Sequence, residues 1–291
     1  MKKVLIFGGY GFIGNKIYHE LKGNYVVSRY TSLNKHQKNK IKYSYENFYK
    51  IIKNFKPDII FFLSGTSNPD YKNINHLYDF KKTNIVLQSF LFALKNLNFK
   101  GKIFFFSTIG VYGTNSKKTL GENDSLNPES FYTLSKTVAE NQCNYFASNY
   151  KLNVNILRIC SIFGPGLNRQ IVYKIIKKVK DKNNIIKLLG NKNDKRELLF
   201  IDDLILIIKK LISAKIKREV INIGSNKQYF IKDIVKKVLL IEKKEKKIIF
   251  INKIKTPKFP LLKNRKLYKF IKIKKKFDIN VGLKKTIMHY C

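Results

Sequence analysis

The stretch that decides the fold opens the chain and reads Lys3-Val4-Leu5-Ile6-Phe7-Gly8-Gly9-Tyr10-Gly11-Phe12-Ile13-Gly14. The apolar run up to Phe7 predicts a buried strand, and a helix is predicted to begin at Phe12. Gly8, Gly11 and Gly14 lie between them and permit a tight turn, close approach of a pyrophosphate to the backbone, and close packing of helix on strand. The free N–H groups of the first helical residues, Phe12 and Ile13, then face the phosphates. We therefore predict a dinucleotide-binding loop.

The remainder of the first half alternates short apolar runs with longer runs of helical periodicity. The predicted strands are 4–7, 25–27, 59–63, 103–106 and 154–159, and the predicted helices are 12–21, 45–54, 74–97 and 131–150. This alternation is typical of an α/β fold with a doubly wound parallel sheet, the Rossmann architecture.

The second half is patchier and rich in lysine. Its predicted helices are 172–179, 204–212 and 231–240, its predicted strands are 186–189, 198–201 and 220–223, and its lysine-rich stretches 243–247 and 272–276 are predicted to be solvated surface or loops. We predict a dinucleotide-binding domain over residues 1–165, with 198–224 returning to it. A smaller α/β substrate-binding region is predicted over 166–197 and 225–291.

The charge of the chain is strongly positive. Among 291 residues, Lys and Arg number 59 and Asp and Glu number 19, a formal net charge of +40. A lysine-rich face can bind nucleic acid through its phosphates. Here the lysines are spread through every segment together with many Asn, Ile, Tyr and Phe, so we read the charge as a compositional bias that favours an anionic small-molecule partner. Nucleic-acid binding stays a minority alternative.

Metal, disulfide and membrane roles are not indicated. Cys143, Cys160 and Cys291 are far apart in sequence, and the histidines share no metal-ligand spacing. No uncharged run approaches the roughly 20 residues that cross a bilayer. We expect no metal site and no membrane span, and we predict a cytoplasmic protein.

The end of the second predicted strand bears on the choice of nicotinamide nucleotide. A site that prefers NAD has an acidic residue there to accept from the ribose 2′-hydroxyl, whereas a cation accommodates the 2′-phosphate of NADP. The chain reads Val27-Ser28-Arg29-Tyr30 and has no carboxylate until Glu46. Arg29 therefore favours NADP, with NAD as the alternative.

A possible acid–base pair follows the fourth predicted strand. That strand ends in Ser107-Thr108, and Tyr132 and Lys136 are spaced to lie on one face of a helix. A phenol titrates near pH ~10, and a nearby ammonium stabilises its anion. Tyr132 would then exchange a proton with a carbinol, Thr108 would hydrogen-bond the same oxygen, and a nicotinamide would exchange the hydride.

Taken together, these motifs resemble the extended short-chain dehydrogenases/reductases of the NAD-dependent epimerase/dehydratase family, whose members mostly modify nucleotide-activated sugars. Further matches are Asp58, Leu63-Ser64-Gly65, Asn84, the segment 158–165, the segment 190–197, Phe200 to Asp203, 222–225 and 282–290. The resemblance implies that Tyr132 is the acid–base and that Thr108 aligns the substrate oxygen. It further implies that Lys136 holds the cofactor ribose and lowers the pKa of Tyr132, with Leu63, Ser64 and Gly65 also lining the cofactor site.

The same resemblance implies two substrate-binding positions. Arg196 matches an arginine that commonly contacts the substrate diphosphate, and the alternative is a surface ion pair with Glu197. Ser161 stands where the family usually has Asn, and Leu87-Gln88 stand where it usually has Gly-Thr. Substrate contacts in these regions therefore depart from the family pattern.

Other departures narrow the reaction. The 4,6-dehydratases of the family place Asp-Glu directly after the catalytic Thr, where this chain has Ile109 and Gly110. We therefore expect a nucleotide-sugar 4-ketoreductase that uses NADPH. The alternative is a 4-epimerase with tightly held NAD, and a more remote one is a non-catalytic dinucleotide sensor or nucleic-acid-binding protein.

Oligomerisation is implied by the family, whose members commonly dimerise through the helices corresponding to 74–97 and 131–150. The first of these helices carries the apolar residues Leu77, Phe80, Val86, Phe90 and Leu94. We predict a homodimer, with packing of these residues on the chain's own sheet as the alternative.

Overall fold

A computed structural model describes residues 1–32, 39–65, 76–114, 119–251, 260–273 and 278–290. Its strands are β1 (Lys3–Phe7), β2 (Val26–Tyr30), β3 (Ile59–Phe62), β4 (Lys102–Thr108), β5 (Thr119–Leu120), β6 (Asn153–Ile159), β7 (Ser161–Phe163), β8 (Ile185–Leu189), β9 (Lys195–Phe200), β10 (Val220–Ile223), β11 (Gln228–Phe230), β12 (Lys247–Ile251) and β13 (Leu261–Leu262). Its α-helices are α1 (Phe12–Leu21), α2 (Tyr45–Phe55), α3 (His76–Phe80), α4 (Val86–Asn96), α5 (Phe131–Asn149), α6 (Gln170–Lys180), α7 (Ile201–Ser213), α8 (Ile231–Glu242), α9 (Arg265–Phe270) and α10 (Ile279–His289).

The central sheet has six parallel strands in the order β10-β6-β4-β3-β1-β2. Alternate side chains of its strands enter two separate cores, because successive residues of a strand point to opposite faces. Val4 and Ile6 pack with α1 and α7 on one face, whereas Leu5 and Phe7 pack with α2, α4 and α5 on the other. Helices cover both faces, which confirms the predicted doubly wound α/β fold.

The region predicted as one helix over 74–97 is a composite. Residues 74 and 75 lie outside the described residues, and α3 and α4 are joined by a π-helical turn over Lys81–Ile85. Phe90 and Leu94 are buried against the chain's own sheet, which agrees with the alternative to a dimer interface. Phe80 and Val86 are half-buried. Leu77, by contrast, is 62% exposed.

The second half builds smaller sheets. β11, β9 and β7 form one, β8 and β12 form a parallel pair, and β5 pairs with β13. Only part of the 243–247 stretch is loop, since Lys247 begins β12, and most of 272–276 lies outside the described residues. β10 completes the central sheet, while β9, which contains residue 198, pairs with β7. The division at residues 165 and 198 stays a prediction.

None of the helices in the described part of the chain combines the length and the apolar character that a bilayer span requires.

Candidate active site

The loop between β1 and α1 has the geometry that its glycines predict. Gly8 has φ +82°, and Gly8 and Gly9 both donate backbone N–H groups to the carbonyl of Tyr30 at 2.9 and 3.1 Å. A Cβ on Gly14 would collide with the Gly8 carbonyl oxygen, so helix and loop are packed too closely for any side chain there. Gly8 therefore makes the predicted tight turn, and Gly14 allows the predicted close packing of the helix on the loop.

The helix behind the loop is suited to an anion. Gly11 is the N-cap of α1, no side chain caps it, and the first turn contains no acidic residue. The first N–H groups of a helix lack intrahelical acceptors and carry the positive end of the dipole. Phe12 and Ile13 are only partly buried and Gly11 is exposed, so these groups are open to a pyrophosphate. The described residues at this loop fit a dinucleotide.

The side chain of Arg29 stands beside the loop at the end of β2. Its guanidinium lies between two aromatic rings, 4.1 Å from the centroid of Tyr10 and 3.9 Å from that of Tyr18. Nη1 donates to Asn15 Oδ1 at 2.5 Å and to the Gly9 carbonyl at 3.5 Å. Stacking and hydrogen bonds thus hold the cation in place before any cofactor arrives.

The end of β3 packs on the same loop. Leu63 N donates to Phe7 O at 2.9 Å, and a Cβ on Gly8 would come within 3.0 Å of the Leu63 carbonyl carbon. Ser64 is buried, and Gly65, with φ +133°, faces Thr83 in the π-helical turn. Leu63 and Ser64, two of the three residues predicted to line the cofactor site, therefore lie next to the phosphate loop, whereas Gly65 faces the π-helical turn.

The acid–base residues come together where α5 crosses the end of β4. A capping box starts the helix, with Ser130 Oγ accepting from Thr133 N at 3.1 Å and Thr133 Oγ1 accepting from Ser130 N at 3.0 Å. This start sets Tyr132 and Lys136 one turn apart. The Thr108 hydroxyl interacts with the Tyr132 phenol, and Lys136 Nζ donates to the Phe106 carbonyl at 2.9 Å.

The electrostatics of this site bear on the expectation that Lys136 lowers the pKa of Tyr132. Burial raises the pKa of the phenol above its usual value, and the groups that oppose this effect are the Thr108 hydroxyl and the Arg169 guanidinium. Burial also lowers the pKa of Lys136, to about 8. Lys136 is not among the groups that shift the pKa of Tyr132 here, because its ammonium is directed to the Phe106 carbonyl, and its effect on the phenol stays a prediction. Arg169, at the N-terminus of α6, is a nearby cation that the sequence analysis missed.

The two predicted substrate-binding residues lie in the second sheet. Ser161 begins β7 and pairs with Leu198, whereas Arg196 lies on β9 opposite Tyr229. Arg196 is half-exposed and donates from Nη1 to the carbonyl of Lys195 at 2.8 Å. Within the described part of the chain, neither side chain forms a hydrogen bond or an ion pair with Thr108, Tyr132 or Lys136.

The alternative of an ion pair between Arg196 and Glu197 is wrong. Glu197 is buried, and its carboxylate accepts backbone N–H groups from Asn226 and Leu262, both at 3.0 Å. Burial raises the pKa of Glu197 to about 7, although these N–H groups oppose the shift. The alternation of a strand places neighbouring side chains on opposite faces, which separates the two charges.

Ile109 and Gly110, which replace the acidic pair of the dehydratases, lie in a buried 3₁₀ turn over Ile109–Tyr112. A Cβ on Gly110 would come within 2.6 Å of Thr133 Cγ2. The turn therefore leaves no room for a side chain at this position. In the described residues, no group of three or more His, Cys, Asp and Glu side chains is arranged to hold a metal ion.

The phosphate loop after β1 and the Tyr132–Lys136 pair on α5 occur together in a known protein family. The model of the NAD dependent epimerase/dehydratase family matches residues 4–224, a span that includes the phosphate loop, Thr108, Tyr132 and Lys136. The chain belongs to this family.

Relatives within the NAD dependent epimerase/dehydratase family differ in the reactions their names describe. The chain is 26% identical over 223 residues to a GDP-6-deoxy-D-talose 4-dehydrogenase of Aggregatibacter actinomycetemcomitans, covering 76% of this chain and 74% of the relative. It is 27% identical over 240 residues to a putative UDP-glucose 4-epimerase of Methanocaldococcus jannaschii, covering 77% of each. Family membership supports an enzyme without selecting one reaction.

Solved structures confirm the Rossmann fold. A dTDP-glucose 4,6-dehydratase of Bacillus anthracis in complex with NAD is similar with a TM-score of 0.88 at 20% identity, over 100% of this chain and 96% of that one. A UDP-glucuronic acid 4-epimerase of Bacillus cereus in complex with UDP-glucuronic acid and NAD is similar with a TM-score of 0.85 at 22% identity, over 99% and 98%. The fold is thus that of proteins which bind NAD.

Proposed function

We propose that this family member is a nucleotide-sugar 4-ketoreductase that prefers NADPH. The observation that carries the proposal is Arg29, a guanidinium held between Tyr10 and Tyr18 beside the phosphate loop. A fixed cation at the end of β2 is placed to pair with a 2′-phosphate, and Asn15 and Gly9 keep it oriented.

The residues that would hold the cofactor are the loop glycines, the first N–H groups of α1, Arg29, the end of β3 and Lys136. The nicotinamide, when bound, supplies the hydride. Tyr132 would give its proton to the oxygen at C4, and its raised pKa keeps the phenol protonated at neutral pH, as a proton donor for a reduction must be. Thr108 would hydrogen-bond the same oxygen and orient it.

The substrate proposed here is a nucleotide-diphosphate sugar. Arg196 is the candidate for the diphosphate, because its planar guanidinium suits phosphate oxygens and leaves β9 on the half-exposed side. Ser161 is a second candidate contact on β7. Dehydration of the sugar is disfavoured because the turn after Thr108 carries no carboxylate and has no room for one at Gly110.

Arg29 gives the direct test of cofactor choice. Calorimetry of the wild-type protein is expected to show tighter binding of NADPH than of NADH. Arg29→Ala should weaken NADPH by at least ~10-fold, the worth of one charged hydrogen bond, and change NADH little. The matched control is Lys22→Ala, an exposed cation at the other end of α1. Equal loss of both nucleotides in Arg29→Ala would contradict the assignment.

The alternative is a 4-epimerase that holds NAD tightly, which the similarity to the putative UDP-glucose 4-epimerase supports. The two reactions differ in cofactor balance. An epimerase returns the hydride to the same sugar and needs no added cofactor, whereas a reductase consumes one NADPH for each turnover.

We further propose a homodimer formed by α3, α4 and α5. These helices and the π-helical turn between α3 and α4 expose large apolar side chains that neither core covers: Leu77, Tyr78, Ile85, Phe92, Leu134 and Tyr145. Light scattering should show a dimer, and Ile85→Glu with Phe92→Glu should produce a monomer, because two charges would be buried in the interface. Leu240→Glu, at an exposed leucine of α8, is the control. A wild-type monomer would remove this proposal.

A further inference from the structure

Three residues on one face of α5 meet the last three residues of β4. Tyr132, Lys136 and Glu140 are spaced four apart, so their side chains lie above one another on the helix. Tyr132 interacts with Thr108, Lys136 donates to the carbonyl of Phe106, and Ser107 Oγ donates to Glu140. The contacts of Tyr132 and Lys136 belong to the proposed acid–base site, whereas the bond between Ser107 and Glu140 lies outside it.

The third contact fixes the position of the helix along the strand. Ser107 is the residue between Phe106 and Thr108, and its hydroxyl is bonded to a carboxylate one turn beyond Lys136. A shift of α5 by one turn would break this bond and both of the others. Glu140 is 1% exposed, so its carboxylate requires compensation from buried partners.

Arg158 on β6 supplies that compensation. Its Nε donates to Glu140 Oε1 at 3.2 Å and its Nη2 donates to Oε2 at 2.7 Å, a bidentate pair from a strand that neighbours β4. Its Nη1 donates to the hydroxyl of Tyr112 at 2.9 Å, and that hydroxyl donates to Asn222 Oδ1 at 2.8 Å on β10. The carboxylate is therefore tied to three adjacent strands of the central sheet.

The charge of Glu140 also acts on Lys136. Lys136 is buried, and burial disfavours its ammonium form and brings its pKa to about 8, while the nearby Cys143 thiol and the carboxylate of Glu140 oppose that effect. Without this negative charge one turn away, a larger fraction of Lys136 would be neutral near pH 8.

We propose that Glu140, with Arg158 as its counter-ion, is a positioning residue that keeps the Lys136 ammonium charged and holds α5 in register with the end of β4. The proposal rests on the proposed function, because Tyr132, Lys136 and Thr108 are the acid–base site of that function. It adds a residue that touches neither substrate nor cofactor and acts through Lys136 and Ser107.

The first test is the pH dependence of turnover in Glu140→Gln. Glutamine keeps the shape and an oxygen acceptor for Ser107 but removes the charge. The alkaline limb of the profile of kcat should move to lower pH by about one unit, since loss of a nearby opposite charge lowers the pKa of an ammonium by about that amount. The KM for the sugar should change little, and Glu140→Asp, which keeps the charge, should restore the limb in part.

Glu122→Gln is the matched control. Glu122 accepts the backbone N–H of Asn222 at 2.9 Å and lies on the other side of Arg158 from Glu140. The same loss of one carboxylate there should leave the pH limb where it is in the wild type. An equal shift of the alkaline limb in both variants would mean that the net charge of the protein sets the pH profile of kcat, and would overturn the proposal.

A second measurement needs no turnover. Glu140→Gln leaves Arg158 buried without its counter-ion and is expected to be destabilised, so Glu140→Gln with Arg158→Met provides a neutral version of the network. NMR of the protein with ¹⁵N-labelled lysine would follow the titration of the Lys136 Nζ itself in each protein. The midpoint should fall in both variants relative to the wild type.

The outcomes separate the two proposals. If the midpoint of the Lys136 titration is unchanged in Glu140→Gln and in the double variant, the role of Glu140 is overturned. This holds for any reaction that the enzyme catalyses. A lowered midpoint in a protein that turns over no nucleotide sugar supports the role of Glu140 and rejects the proposed function.

Discussion

The central sheet and the smaller sheets of the second half are held together in different ways. β3 and β4 of the central sheet are buried on both faces, whereas the exposed face of β8 carries Ile185, Lys187 and Leu189. The central strands β1, β3, β4 and β6 are almost wholly buried, and α1 and α2 follow β1 and β2 along the chain. The smaller sheets are made of short strands from distant parts of the chain, such as β5 with β13. Strands β1 to β4 of the central sheet are therefore neighbours along the chain, whereas the smaller sheets depend on pairing between distant segments.

The proposed acid–base site lies at the end of β4 in the central sheet, and removal of its phenol should have the largest effect. Tyr132→Phe is expected to lower kcat by at least ~100-fold, the usual contribution of general acid–base catalysis, with cofactor binding nearly intact. Steady-state kinetics with calorimetry of the cofactor would check this. Tyr145→Phe, at an exposed tyrosine of the same helix, is the control. Near wild-type turnover in Tyr132→Phe would remove this residue from the mechanism.

The phosphate loop should be almost as sensitive, because its packing allows no side chain. Gly14→Ala places a Cβ against the Gly8 carbonyl oxygen and should weaken NADPH binding by at least ~10-fold. Gly121→Ala is the control, since a Cβ there meets nothing closer than 3.9 Å. Equal affinities of the two variants in calorimetry would show that the loop does not approach the cofactor.

The second sheet should contribute to substrate binding alone. Arg196→Ala is expected to raise the KM for the nucleotide sugar by about 10-fold with kcat nearly unchanged, as for a contact made equally in the ground and transition states. Lys195→Ala removes the neighbouring cation, which lies over the ring of Phe230, and should leave KM as it is. A fall in kcat without a change in KM would place Arg196 in the chemical step.

The last effect concerns stability rather than binding or turnover. The pKa of Glu197 is raised from 4.5 to about 7 in the folded protein. The unfolded chain therefore loses this proton first, and the stabilisation that is complete below pH 4.5 is lost as pH rises through about 7. At most about 3 kcal/mol is involved, from 1.36 kcal/mol per pKa unit.

Thermal unfolding between pH 5 and 8, a window of about three units around these pKa values, would measure this dependence. Glu197→Gln should flatten it, whereas Glu219→Gln, at a partly exposed ion pair with Lys266, should not. An identical pH dependence in Glu197→Gln and in the wild type would contradict the assignment.

Local sequence patterns predicted the central sheet because each of its strands and helices can be recognised from consecutive residues, as an apolar run or as a run of helical periodicity. The bounds of α1 and the position of Tyr132 and Lys136 on one face of α5 followed from spacing alone. The π-helical turn over Lys81–Ile85 was not predicted, since its residues resemble those of the α-helices that flank it. The run Arg158-Ile159 shows a cation within an apolar strand, and this signal could have indicated a buried counter-ion such as Glu140.

In the second half, burial rather than spacing decides the outcome. Arg196 and Glu197 are adjacent and opposite in charge, yet the strand directs them to different environments, one half-exposed and one buried under Asn226 and Leu262. β11, β12 and β13 were not predicted because short half-buried strands in lysine-rich sequence lack the alternation that identifies a strand.

The central claim is net reduction at the site formed by Thr108, Tyr132 and Lys136. The direct measurement is oxidation of NADPH by the purified protein with a panel of 4-keto nucleotide sugars, followed by the stoichiometry of product to NADPH. We expect one NADPH to be consumed for each sugar reduced, with NADH a poorer donor. NAD already bound as purified, with sugar interconverted and no net consumption, would contradict the account and assign a 4-epimerase.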